Sequence, residues 1–218
     1  MAEAFLTKTG SAATELRYLA LGDSYTIGEG VPESGRWPVQ LAHALRADGI
    51  PLSDPKIIAR TGWTTDELDA AIDAVHPLAE CDLVSLLIGV NNQYRGRSLD
   101  EYRLQFGSLL ERAIGFAQWR RERVLVLSIP DWGVTPFAHD RDTIRIAQDI
   151  DAFNAVALET CAQRGVAFVD ITAASRAQGA APTMLVEDGL HPSALMYSEW
   201  TRLALPFVHA MHARDTSR

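Results

Sequence analysis

Only two cysteines occur among the 218 residues, basic side chains are outnumbered by acidic ones, and no apolar run nears the length of a membrane span. Each scarcity excludes something. Cys81 and Cys161 lie far apart without metal-ligand spacing, which argues against a disulfide scaffold and leaves both as small buried apolar residues. Reduced thiols, and an amino terminus lacking a basic stretch followed by an apolar one, lead us to expect a cytoplasmic protein. The 28 acidic against 20 basic side chains give a formal charge of -8 with no basic run, so no nucleic-acid partner is expected. Without an apolar segment of about 20 residues, no membrane span is expected either. Nothing in the sequence specifies an oligomeric state.

What is present is an ordinary globular composition, 47% hydrophobic and 22% charged, on a chain long enough for one well-buried core. We expect a single domain over 1–218, with 1–15 and 213–218 as flexible tails. Continuously apolar runs at 17–21, 56–59, 83–88, 123–129 and 166–170 read as strands of a parallel sheet covered on both faces. Helical patterns at 38–47, 66–75, 99–120, 143–164 and 194–211 alternate with them. Such alternation implies right-handed crossovers and an α/β fold, a three-layer α/β/α sandwich. Two loops, 130–142 and 171–191, are long for a compact domain, and ligands of open parallel sheets gather at the strand ends where both must lie.

The first strand stops abruptly at Gly22, Asp23 and Ser24 in the stretch YLALGDSYTIGEG. The stretch lacks the Gly-Lys-Ser/Thr of a phosphate loop, the Gly-x-Gly-x-x-Gly of a dinucleotide site and the Gly-x-Ser-x-Gly of a nucleophile elbow. A turn serine and a nucleophile both remain open on these residues alone. At the far end, Asp188 and His191 sit three apart before the last helix. A serine hydroxyl needs a base to remove its proton, and a histidine base needs a carboxylate to hold its tautomer. A turn aspartate beside a pre-proline histidine is the structural alternative; a metal pair is a third, although no second His/Asp cluster has ligand spacing. Gly62 follows the second strand and Asn91 the third. Each is a candidate oxyanion donor, or else a helix-start glycine and a turn asparagine.

The blocks GDS, TGWTT, GVNN and DGLHP, in this order over nearly the whole chain, resemble the GDSL/SGNH hydrolase family. The resemblance implies a flavodoxin-like five-stranded sheet of order 2-1-3-4-5. It makes Ser24 the nucleophile, His191 the general base and acid, and Asp188 its orienter. Gly62 and Asn91 become oxyanion donors alongside the Ser24 backbone N–H. The family commonly has Asp where this chain has Asn92, which can accept a hydrogen bond but supplies no charge; Tyr25 stands where many members have Leu.

The activity implied is hydrolysis of a small-molecule ester, with short acyl chains favoured because no insertion is long enough to form a lid. No metal or organic cofactor is expected. A lysophospholipase or thioesterase of the same family is the nearest alternative, and a non-catalytic binding protein on the same scaffold comes from a different class. Asp23 is expected to anchor its loop and, with Trp63, Tyr94 and Trp132, to border the substrate. His43, His76, His209 and His212 fall in or near helical patterns and read as structural or exposed.

Overall fold

The computed structural model describes residues 15–75 and 78–216. Five strands form one parallel sheet of order β2-β1-β3-β4-β5: β1 (Tyr18–Gly22), β2 (Lys56–Ala59), β3 (Leu83–Leu87), β4 (Val124–Leu127) and β5 (Ala167–Val169). Leu19 is in register with Lys56 on one side and Val84 on the other. β1, β3 and β4 are buried along their whole length, as expected for unbroken apolar runs inside a covered sheet, whereas β2 and β5 at the edges are only part-buried. The one polar side chain within β3, Ser85, is satisfied by the Tyr18 hydroxyl at 2.9 Å.

Among the described residues eight α-helices follow in chain order: α1 (Ser24–Ile27), α2 (Trp37–Ala47), α3 (Thr65–Ala74), α4 (Val90–Tyr94), α5 (Leu99–Phe116), α6 (Thr143–Arg164), α7 (Thr172–Gln178) and α8 (Ala194–Thr216). α2 packs on α8, and α5 lies between α3 and α6, so the sheet is covered on both faces. The result is the three-layer α/β/α sandwich with the anticipated strand order. Helix starts follow local chemistry: Thr64 and Glu67 form a reciprocal capping box on α3, and Ser98 and Asp142 cap α5 and α6. Gly165 ends α6 in the left-handed region at φ +66°.

Three differences from the sequence expectation have local causes. The helix expected at 99–120, observed as α5, stops at Phe116, because Gln118 and Trp119 both adopt positive φ and their N–H groups bond back to Gly115 and Ile114. The loop at 171–191 contains α7, whose seven residues TAASRAQ are too short for a clear periodic signal. The loop at 130–142 winds through two single 3-10 turns, Trp132–Val134 and Pro136–Ala138. Most of the tails expected at 1–15 and 213–218, and His76, lie outside the described residues, while α8 continues through 213–216. No helix among the described residues is long and apolar enough to cross a membrane.

Candidate active site

β1 delivers Ser24 to the carboxyl edge of the sheet through a turn that only glycine permits. A Cβ on Gly22 would lie 2.2 Å from Thr26 Oγ1 and 2.4 Å from the Leu87 carbonyl of the adjacent strand. Asp23 caps α1, its Oδ1 accepting the Tyr25 N–H at 3.0 Å. Ser24 is therefore the first residue of a helix, where backbone N–H groups have no intrahelical acceptor and point outward. Asp23 is fully buried, and its Oδ2 has no partner among the described residues. Burial pushes its carboxyl up to about 7, against the opposing pull of the Tyr25 N–H.

Asp188 and His191 occupy a tight turn between a Leu185–Pro192 bridge, with Gly189 at φ +67°. Asp188 Oδ1 accepts the N–H groups of Leu190 (2.8 Å) and His191 (2.9 Å). Its Oδ2 lies 2.6 Å from His191 Nδ1. Burial tends to raise this carboxyl, but the bonds from the His191 ring and the two N–H groups outweigh it and hold the group below its usual range. The His191 side chain is 11% exposed and its ring meets Tyr25 edge-on at 5.9 Å, leaving Nε2 as the nitrogen not engaged by the carboxylate.

The second and third blocks meet face to face. Gly62 sits at φ +88° in the loop after β2, and Asn91 is the second residue of α4 after β3. Asn91 Nδ2 donates to the Trp63 carbonyl at 2.9 Å, which uses one of its two hydrogens and fixes the amide plane. The adjacent Asn92, fully buried, accepts the Thr65 N–H at 3.1 Å and donates to Thr65 Oγ1 at 2.7 Å. Thr65 then donates to Gln105. The amide thus joins α3 to α4 through one acceptor and one donor, a pattern an ionised carboxylate could not make.

A cavity of about 200 Å³ brings Ser24, Gly62, Asn91 and His191 together. Tyr25, Tyr94, Trp132, Phe137, Val90 and Leu190 contribute apolar wall to it. Trp132 is buried, stacks edge-on against Tyr94 (5.5 Å) and Phe137 (6.1 Å), and donates its indole N–H to Gln93 at 2.9 Å. Of the four rim residues anticipated, Tyr94 and Trp132 line this cavity. Asp23 and Trp63 do not: Asp23 is turned inward beneath the Ser24 turn, and the Trp63 ring packs part-buried on the core while its carbonyl holds Asn91. Gln93 had no sequence signal, since its importance comes from a partner on another loop. His43 and His209 lie near Asp54 and Asp48, away from the cavity, and His139 pairs with the exposed Asp140. Among the described residues no group of three His, Cys, Asp or Glu could hold a metal ion.

The sequence matches the profile of the GDSL-like lipase/acylhydrolase family over residues 20–198. The chain belongs to this family. It is accordingly a carboxylic ester hydrolase. Solved structures with the same fold include TesA (TM-score 0.70, 21% identity, covering 89% of this chain and 99% of that one). The acetylxylan esterase Axe2 of Geobacillus stearothermophilus superposes with a TM-score of 0.69 at 19% identity, over 88% of this chain and 94% of its own. A lipase/acylhydrolase from Enterococcus faecalis gives 0.66 at 20% identity, over 88% and 94%. No curated protein matches the sequence. At these identities the solved structures establish that this GDSL-like hydrolase shares their fold.

Proposed function

We propose that this hydrolase cleaves small, short-chain acyl esters through an acyl-enzyme on Ser24. The observation that carries the reading is that Ser24 and His191 line one cavity while Asp188 grips the far nitrogen of the His191 ring at 2.6 Å. With Nδ1–H donated to Asp188, Nε2 is the acceptor for the Ser24 proton, and the Ser24 oxygen attacks the ester carbonyl. The oxyanion that forms is received by the N–H groups of Ser24 and Gly62 and the remaining Asn91 amide hydrogen. His191 then returns the proton to the leaving alcohol as the C–O bond breaks. Water repeats the sequence: His191 takes its proton, hydroxide oxygen adds to the acyl carbon, and Ser24 leaves with the proton restored.

Cavity size and lining support the short acyl group. About 200 Å³ walled by Trp132, Phe137, Val90 and Leu190 accommodates a few methylenes, not a long chain. That one structural neighbour is an acetylxylan esterase accords with this reading. The two buried free cysteines, Cys81 and Cys161, support a cytoplasmic setting. The test is Ser24→Ala assayed with p-nitrophenyl acetate, together with labelling by a serine-directed fluorophosphonate. Turnover and labelling should both vanish in a protein of unchanged melting temperature. Undiminished turnover by the variant, or an unlabelled wild type without esterase activity, would overturn the reading in favour of a non-catalytic scaffold.

A further inference from the structure

We propose that Arg95 is a positioning residue for the oxyanion site, anchoring the Gly62 carbonyl and so narrowing the backbone rotation at Gly62 that would swing its N–H out of place. The inference rests on the acyl-enzyme reading above. Three donors are assigned to the oxyanion, and they come from three separate segments: the Ser24 turn, the loop after β2 and α4. Gly62 is the weakest link among them. At φ +88° it has no Cβ to restrict rotation, so the freedom that lets its N–H approach a substrate also leaves that N–H poorly fixed.

Arg95 supplies the missing constraint from outside the cavity. Its Nη2 donates to the Gly62 carbonyl at 2.6 Å, and its Nη1 pairs with Glu67 at 3.3 Å. Glu67 is itself held, because it accepts the Thr64 N–H at 2.9 Å in the capping box of α3. The planar guanidinium thereby ties Gly62 to a rigid helix start, which a single-point cation could not do as well. Arg95 follows directly on α4, the helix that carries Asn91, so this segment and the loop after β2 are joined twice: Asn91 donates to the Trp63 carbonyl and Arg95 to that of Gly62. The preceding residue is tethered from the other side, since the Thr61 hydroxyl donates to Glu29. The Glu29 N–H bonds in turn to the Ser24 carbonyl at 3.1 Å. Gly62 is thus clamped between the nucleophile turn and α4, and Arg95 forms the α4 arm of the clamp.

Because the oxyanion exists only beyond the ground state, loosening its donor should lower kcat and leave KM nearly unchanged. Removing an oxyanion donor outright costs about 10²–10³ in kcat; Arg95→Ala leaves the donor in place but mobile, and about a tenfold loss with KM within a factor of about two is expected. Arg95→Lys keeps one donor for the Gly62 carbonyl and should recover part of the loss. Arg95 is solvent-exposed, so millimolar guanidinium chloride should restore part of the kcat of Arg95→Ala and none of that of Ser24→Ala. A kcat for Arg95→Ala within about twofold of wild type would overturn the proposal. So would a fall in kcat that neither lysine nor guanidinium relieves, which would mark a general structural role. If Ser24→Ala also stayed active in the same assay, the acyl-enzyme reading itself would fail; an inactive Ser24→Ala beside a fully active Arg95→Ala would sink only the clamp.

Discussion

Replacing Asp188 by Asn changes one atom, and the surrounding bonds dictate what that change does. Two backbone N–H groups, from Leu190 and His191, converge on Oδ1 at 2.8 and 2.9 Å. An asparagine must keep its carbonyl oxygen there, because turning the amide over would aim N–H against N–H. Its NH₂ is then forced toward His191 Nδ1, 2.6 Å away in the native pair. Nδ1 can satisfy that donor only as an acceptor, which moves the ring proton to Nε2 and removes the base that the proposed attack by Ser24 requires. A buried triad carboxylate treated this way loses about 10⁴ in kcat. The Asp188 side chain is 43% exposed, so water shares its role, and a loss nearer 10³, roughly 4 kcal/mol of barrier, is expected. The assay is kcat for p-nitrophenyl acetate, with ¹⁵N chemical shifts of the imidazole reporting the tautomer. The melting temperature should hold, since the turn keeps both of its backbone bonds. A variant within about tenfold of wild type, or one whose ring still carries its proton on Nδ1, would refute the reasoning.

Two further predictions concern stability and specificity. Asp23 has a folded-state pKa of about 7 against 3.8 for the free side chain, so its ionisation opposes folding: the penalty is absent below pH 4 and fully developed above pH 7. At about 1.4 kcal/mol per pH unit the displacement corresponds to roughly 4 kcal/mol, an upper bound for a buried group. Asp23→Asn should therefore gain in melting temperature relative to wild type as the pH is raised from 4 to 8, and a pH-independent difference would contradict this. A void of about 20 Å³ borders the cavity and shares Tyr25, Trp132 and Leu190 with it, and of these Trp132 has the largest side chain. Trp132→Leu should join the two and raise the octanoate-to-acetate ratio of kcat/KM severalfold; an unchanged ratio would show that the indole does not limit acyl length.

Much of the fold was legible because its signals are local. Unbroken apolar runs such as VLVL in β4 announce a strand buried on both faces. The end of α5 was not legible: Gln118 and Trp119 carry no glycine or proline to mark a turn, yet adopt left-handed backbone. α1, α4 and α7 are too short to show a period.

The same division runs through the site. Asp188 and His191 are three apart, so one turn of chain suffices to pair them, and their spacing was informative on its own. Ser24, by contrast, was an ambiguous turn residue until blocks from across the chain were considered with it. The contacts that give each group its working geometry join distant residues: Trp132 to Gln93 across 39 positions, Arg95 to Gly62 across 33, Thr61 to Glu29 across 32. Sequence spacing determined the strands, the helix starts and the Asp188–His191 pair, because each depends on neighbours within a turn or two. Which aromatic walls the cavity, which rim residue turns inward and what clamps Gly62 were decided only by the tertiary structure. Those depend on the parallel sheet bringing the ends of β1, β2, β3 and β4 to one edge.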